Sequence, residues 1–156
     1  MFSEKTKDSS GAWLTEIYKD LDMSNIHNNI MESFFTREIL ETLTQVNPMY
    51  GIFSTVNNHA TQIRYFGNSS ILPLHVDEAA FTITSFVFNE PRNFAGGNVT
   101  LQIGTDIAYE QDIENNMTII FPSFYNMSLS EINVNDKEIS GSGLYTISSY
   151  LFVESR

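Results

Sequence analysis

The chain has 156 residues, 42% of them hydrophobic, and twelve Phe and seven Tyr supply much of the apolar area, so one globular domain with a sizeable core is expected. Nineteen acids against eight bases give a formal charge of −11, a surface that repels phosphate backbones and makes nucleic acid and anionic membranes poor partners. There is no cysteine, which excludes a disulfide framework, a thiolate zinc site and a cysteine nucleophile. Residues 1–11 are polar apart from Phe2 and read as a flexible tail before a single domain over residues 12–156. Neither a signal peptide nor a membrane span is predicted, and the expected compartment is the cytoplasm. The four Asn-x-Ser/Thr triplets at Asn68, Asn98, Asn116 and Asn126 read as products of an Asn-rich composition. Between Trp13 and Leu21 a short amphipathic turn is expected. Residues 30–46 carry Phe34, Phe35, Ile39, Leu40 and Leu43 on one stripe, the pattern of a helix. Asn47-Pro48 ends it, because a residue before proline leaves the α region. The remainder reads as β, with strands expected over 60–66, 79–89, 97–104, 117–121, 127–134 and 144–153. Helices followed by many strands predict an α+β domain whose helices buttress a β-sandwich or jelly roll.

The candidate site lies in Leu74-His75-Val76-Asp77. Alternate residues of an extended segment share one face, so His75 and Asp77 offer a nitrogen and a hard oxygen to one point. Those are two of the three ligands of the facial triad that leaves positions open at non-haem Fe(II). The same pair also reads as a hydrogen-bonded couple at a strand end. Gly96-Gly97 reads as a turn needing positive φ, and Pro122 as a bulge or edge position. No nucleophile elbow, phosphate loop or dinucleotide fingerprint occurs.

The order of motifs resembles the prolyl-4-hydroxylase-like branch of the Fe(II)/2-oxoglutarate dioxygenases. Arg64-Tyr65-Phe66-Gly67, His75-Val76-Asp77, Phe88-Asn89, Phe94-Ala95-Gly96-Gly97 and Phe121-Pro122-Ser123 follow one another as in that family, over about the last three-fifths of the chain. The resemblance implies a double-stranded β-helix (jelly-roll) core with N-terminal buttressing helices. It also implies Fe(II) held by His75 and Asp77, and a 2-oxoglutarate pocket at Arg64, Tyr65, Leu144 and Thr146. At the position of the family's second histidine this chain has Met127, a soft thioether ill-matched to Fe(II). At the position of its 2-oxoglutarate-pairing base it has Leu144. Two functions follow from the resemblance. One is an oxygenase-fold protein with an incomplete triad that acts by binding a small molecule or a protein. The other is an active dioxygenase with an unusual third ligand, using Arg64, Arg92 or Lys137 as its clamp. A cupin-like protein holding a different metal is a more distant third.

Overall fold

The computed structural model describes residues 9–154. It is an α+β jelly roll built from two antiparallel sheets with helices against the outer face of one. The strands are β1 Ser9–Trp13, β2 Asn58–Phe66, β3 Leu72–His75, β4 Phe81–Val87, β5 Phe94–Gly96, β6 Asn98–Ile103, β7 Asp106–Asp112, β8 Met117–Pro122, β9 Asn126–Leu129, β10 Ile132–Val134 and β11 Leu144–Phe152. The major sheet runs β1-β2-β11-β4-β8 and the minor sheet β3-β9-β6-β7, with β5 and β10 paired apart from both. Among the described residues no helix is long and apolar enough to cross a membrane.

Period-two alternation assigns each strand of the major sheet two faces. Phe66, Phe86 and Phe121 point inward, where they meet Val99, Leu101, Met127 and Leu129 of the minor sheet in the central core. Phe81, Ile83 and Leu151 point outward and are covered by Phe34, Phe35, Leu40, Tyr50 and Phe53. Full burial of each such side chain contributes about 1.5–3 kcal/mol. The chain therefore has two apolar layers, one on each side of the major sheet.

The helical layer departs from the single helix expected over 30–46. It forms α1 Leu14–Ile17, α2 Asn25–Phe34 and α3 Arg37–Val46, with 3-10 turns at Leu21–Met23 and Pro48–Thr55. Ser24 starts α2 by accepting the His27 amide at 3.2 Å, and Thr36 starts α3 by accepting that of Ile39 at 3.3 Å. The hydroxyl at Thr36 thus restarts the helix inside a continuous apolar stripe, a local signal that the stripe itself obscures. Asn47 closes α3 as expected, and its side chain caps the following 3-10 turn.

The strand differences have similarly local causes. Of the tail expected over 1–11, residues 1–8 lie outside the described range. Ser9–Gly11 stand in β1, paired with Phe66, Tyr65 and Arg64. The strand expected over 127–134 is divided at Ser130-Glu131 into β9 and β10, which pair with different partners. Strand β7 escaped the pattern because its Asp106, Glu110 and Asp112 are the charges that protect a sheet edge. Gly96 adopts φ +85°, and a Cβ there would lie 1.9 Å from the Glu131 carbonyl oxygen, so the turn admits glycine alone.

Candidate functional site

The inner face of the major sheet is not uniformly apolar. Beside the phenylalanines, β2 presents Arg64, β4 presents Thr82 and Thr84, and β11 presents Thr146, Ser148 and Tyr150. These side chains line a small cavity of about 20 Å³ together with His75, Asp77 and Met127, space for about one water. Thr84 and Ser148 pair their hydroxyls at 3.0 Å, and Thr82 and Ser123 theirs at 2.8 Å. A polar seam has been built into the middle of a sandwich core, with most of its groups hydrogen-bonded to each other.

His75 closes β3 and Asp77 follows it, on the same side. His75 Nε2 lies 3.2 Å from Asp77 Oδ1, and the other carboxylate oxygen accepts the Thr82 hydroxyl at 2.9 Å. His75 Nδ1 lies 2.9 Å from the Pro73 carbonyl oxygen. A carbonyl only accepts, so Nδ1 carries a proton; a carboxylate facing Nε2 calls for a second. The arrangement suits an imidazolium. Burial opposes that charge, but the bonds to Asp77 and Pro73 outweigh it and raise the His75 pKa above the ordinary value.

Met127 is the cross-strand neighbour of His75, paired in turn with Leu101 of β6. It is 4% exposed and its side chain points into the cavity. Arg64 is 7% exposed, its guanidinium 5.0 Å above the Phe66 ring. Burial pulls the Arg64 pKa below its usual value, with Tyr150 acting in the opposite direction. Tyr150 is pushed up to about 12 by burial and then by the Asp77 charge, so its phenol stays protonated.

Of the positions assigned to a co-substrate pocket, Arg64 and Thr146 line the cavity and Tyr65 and Leu144 do not. Tyr65 is adjacent to Arg64 in the strand and so faces the other way. Its ring packs 4.8 Å from that of Tyr145, and its hydroxyl accepts the Gly143 amide at 3.1 Å. Leu144 points inward but one side-chain repeat further along, beside its cross-strand partner Phe66 in the apolar core. Arg92 does not reach the cavity. It donates to the Phe94, Gly96 and Ile113 carbonyls at 3.1, 2.7 and 3.1 Å and lies over the Phe94 ring, fastening the β5 turn. Lys137 is exposed beyond β10. The remaining histidines, His27 of α2 and His59 of β2, stack on each other where the helical layer meets the major sheet, with ring nitrogens 3.3 Å apart.

The residues missed in the sequence are Thr82, Thr84, Ser123, Ser148 and Tyr150. Their signal was present: Thr82-x-Thr84-x-Phe86 and Thr146-x-Ser148-x-Tyr150 put polar groups on the face that should read apolar.

No family model and no curated protein matches the chain in sequence. Solved structures do match it in fold. A Pseudomonas putida prolyl-4-hydroxylase superposes with a TM-score of 0.61 at 12% identity, covering 98% of this chain and 76% of that one. An oxidoreductase of the 2OG-Fe(II) oxygenase family from Burkholderia pseudomallei gives 0.57 at 11% identity, covering 83% and 57%. The chain thus matches little more than half the length of the Burkholderia protein. At these identities the likeness is one of fold: a 2OG-Fe(II) oxygenase-like jelly roll.

Proposed function

We propose that this chain is a binding protein on the oxygenase fold, without the metal-dependent chemistry of that fold's enzymes. The observation that carries the reading is Met127, buried and the cross-strand partner of His75, in the slot that the resemblance gives to a second histidine ligand. Among the described residues no group of three His, Asp, Glu or Cys side chains stands together to hold a metal. His75 Nε2 and Asp77 Oδ1 offer two donors 3.2 Å apart to one point, and a metal held there would displace the proton between them. Arg64 brings a fixed positive charge to the same cavity, which opposes a divalent cation. The residues present offer Fe(II) two ligands and not a third, and the hydroxyls of the seam pair among themselves.

One observation favours a second reading. Arg64 lines the same cavity as His75 and Asp77, and a buried guanidinium suits a carboxylate. In that reading the chain is an active hydroxylase with Arg64 as clamp and an unusual third ligand. Succinate formation from 2-oxoglutarate, with Fe(II) and ascorbate, separates the two. Binding alone predicts the same background succinate for the parent and His75→Ala. Turnover that disappears in His75→Ala establishes the enzyme.

A further inference from the structure

The larger concavity lies elsewhere, at the open side of the sandwich where the free edges of β7 and β8 face each other. It has a volume of about 300 Å³. Its walls are Leu101 of β6, Tyr109 of β7, Ile119 and Phe121 of β8, Tyr125 after β8, and Tyr50, which reaches around the sheet edge from the helical layer. Among the described residues no Asp, Glu, Lys, Arg or His lines it, although the chain carries a net charge of −11. Uncharged walls in so acidic a protein favour a neutral occupant, since a carboxylate would lose its hydration and meet no cation.

The volume and the hydroxyls narrow the class. Small-molecule pockets begin at about 300 Å³, so this one takes one or two fused rings and not a helix of another protein. Aromatic walls favour an aromatic occupant through stacked and edge-on contacts. The Tyr50 hydroxyl donates to the Ile120 carbonyl oxygen at 3.3 Å, and the Tyr109 hydroxyl donates to Gln111 Oε1. With their protons committed, both oxygens have lone pairs left to accept a bond. Burial, with Tyr125 adding to it, raises the Tyr50 pKa, so that hydroxyl stays neutral. We infer that the groove between β7 and β8 binds a neutral aromatic molecule of one or two rings that carries an N–H or O–H donor.

This site is distinct from the His75–Asp77 cavity and does not depend on whether that cavity is catalytic. The two are nonetheless adjacent: Tyr109 pairs with Leu101, Leu101 with Met127, and Met127 with His75, in one ladder across the minor sheet.

The test uses indole as probe, benzofuran as an isostere without the N–H, and indole-3-acetate as a charged analogue, measured by saturation-transfer NMR and calorimetry on the full chain. Indole should bind about fivefold or more tightly than benzofuran, the worth of one ordinary hydrogen bond, and indole-3-acetate more weakly than either. Ala108 lies on the exposed rim of the groove, so Ala108→Trp fills it without touching the core and should weaken indole by at least about tenfold. Tyr109→Phe keeps the ring and should reduce the preference for indole over benzofuran. Unfolding curves of both variants establish that they are folded. No detectable indole binding at millimolar concentration overturns the proposal, as does equal affinity in parent and Ala108→Trp. Benzofuran or indole-3-acetate binding as tightly as indole overturns the assigned class.

Discussion

The two faces of the major sheet are made from alternate residues of the same strands, yet they differ in kind. The outward face packs Phe81, Ile83 and Leu151 under helices and holds its buried hydroxyls, Thr61 and Ser149, as a closed pair at 2.8 Å, whereas the inward face, which the minor sheet covers, adds the Arg64 guanidinium to its hydroxyls and shares one cavity with His75 and Asp77. Hydroxyls buried in mutual pairs return little more than they lose in hydration on either face, but burying a guanidinium, an imidazole and a carboxylate together carries a desolvation cost that packing alone does not call for. In the reading proposed above, the charged groups of the inner face are the imprint of a site whose chemistry Met127 and Arg64 have altered.

The comparison is broken most severely on the outer face. Leu151→Ala, at a position fully buried, should cost about 2–5 kcal/mol, seen as a lower urea midpoint with unchanged slope. On the inner face the largest effect should come from Asp77→Ala, which deprives both His75 and the Thr82 hydroxyl of a partner. A loss of about 1–3 kcal/mol is expected from the orphaned groups. Removing a bonded pair should matter less: the double change Thr84→Val, Ser148→Ala takes out both hydroxyls at once and leaves only the Tyr150 phenol short of its Ser148 partner, so a loss of about 1 kcal/mol is expected. If the double change proves as damaging as Leu151→Ala, the seam is structural.

The histidines sharpen the same contrast through pH. His75, on the inner side, has its pKa raised in the fold. Its contribution is therefore present below the ordinary imidazole value of about 6.5 and is lost as pH rises through the higher folded value. His59, beneath the helices, has its pKa lowered by burial and then by His27. Its contribution is present above the ordinary value and is lost as pH falls through the lower folded one. Urea midpoints measured from pH 5 to 8 on His75→Gln and His59→Gln should therefore deviate from the parent with opposite slopes.

Much of the jelly roll was legible because long strands such as β2, β4 and β11 carry alternation and β-branched residues through their whole length. The short ones were not: β5 and β10 have three residues each, too few for a period, and β1 is a strand only because β2 offers it an edge. At the site, His75, Asp77 and Met127 were readable as an ordered set of positions. Arg64 and Tyr65 were not separable as neighbours in a motif, since only the strand's register sends one inward and the other out. Tyr150 and the hydroxyls were visible as polar breaks in an apolar face, but their meaning depends on the second sheet that covers them.

The central claim, that Met127 stands where a metal ligand is required, is tested most directly by an anaerobic Co(II) titration of the parent beside Met127→His, followed by the visible absorption of the bound ion. Weak binding by the parent is expected, with an affinity at least about tenfold higher in the variant, about 1.4 kcal/mol, and the core should accept the imidazole at a cost of roughly 1 kcal/mol. Tight binding by the parent, unimproved in Met127→His and lost in His75→Ala, would contradict it.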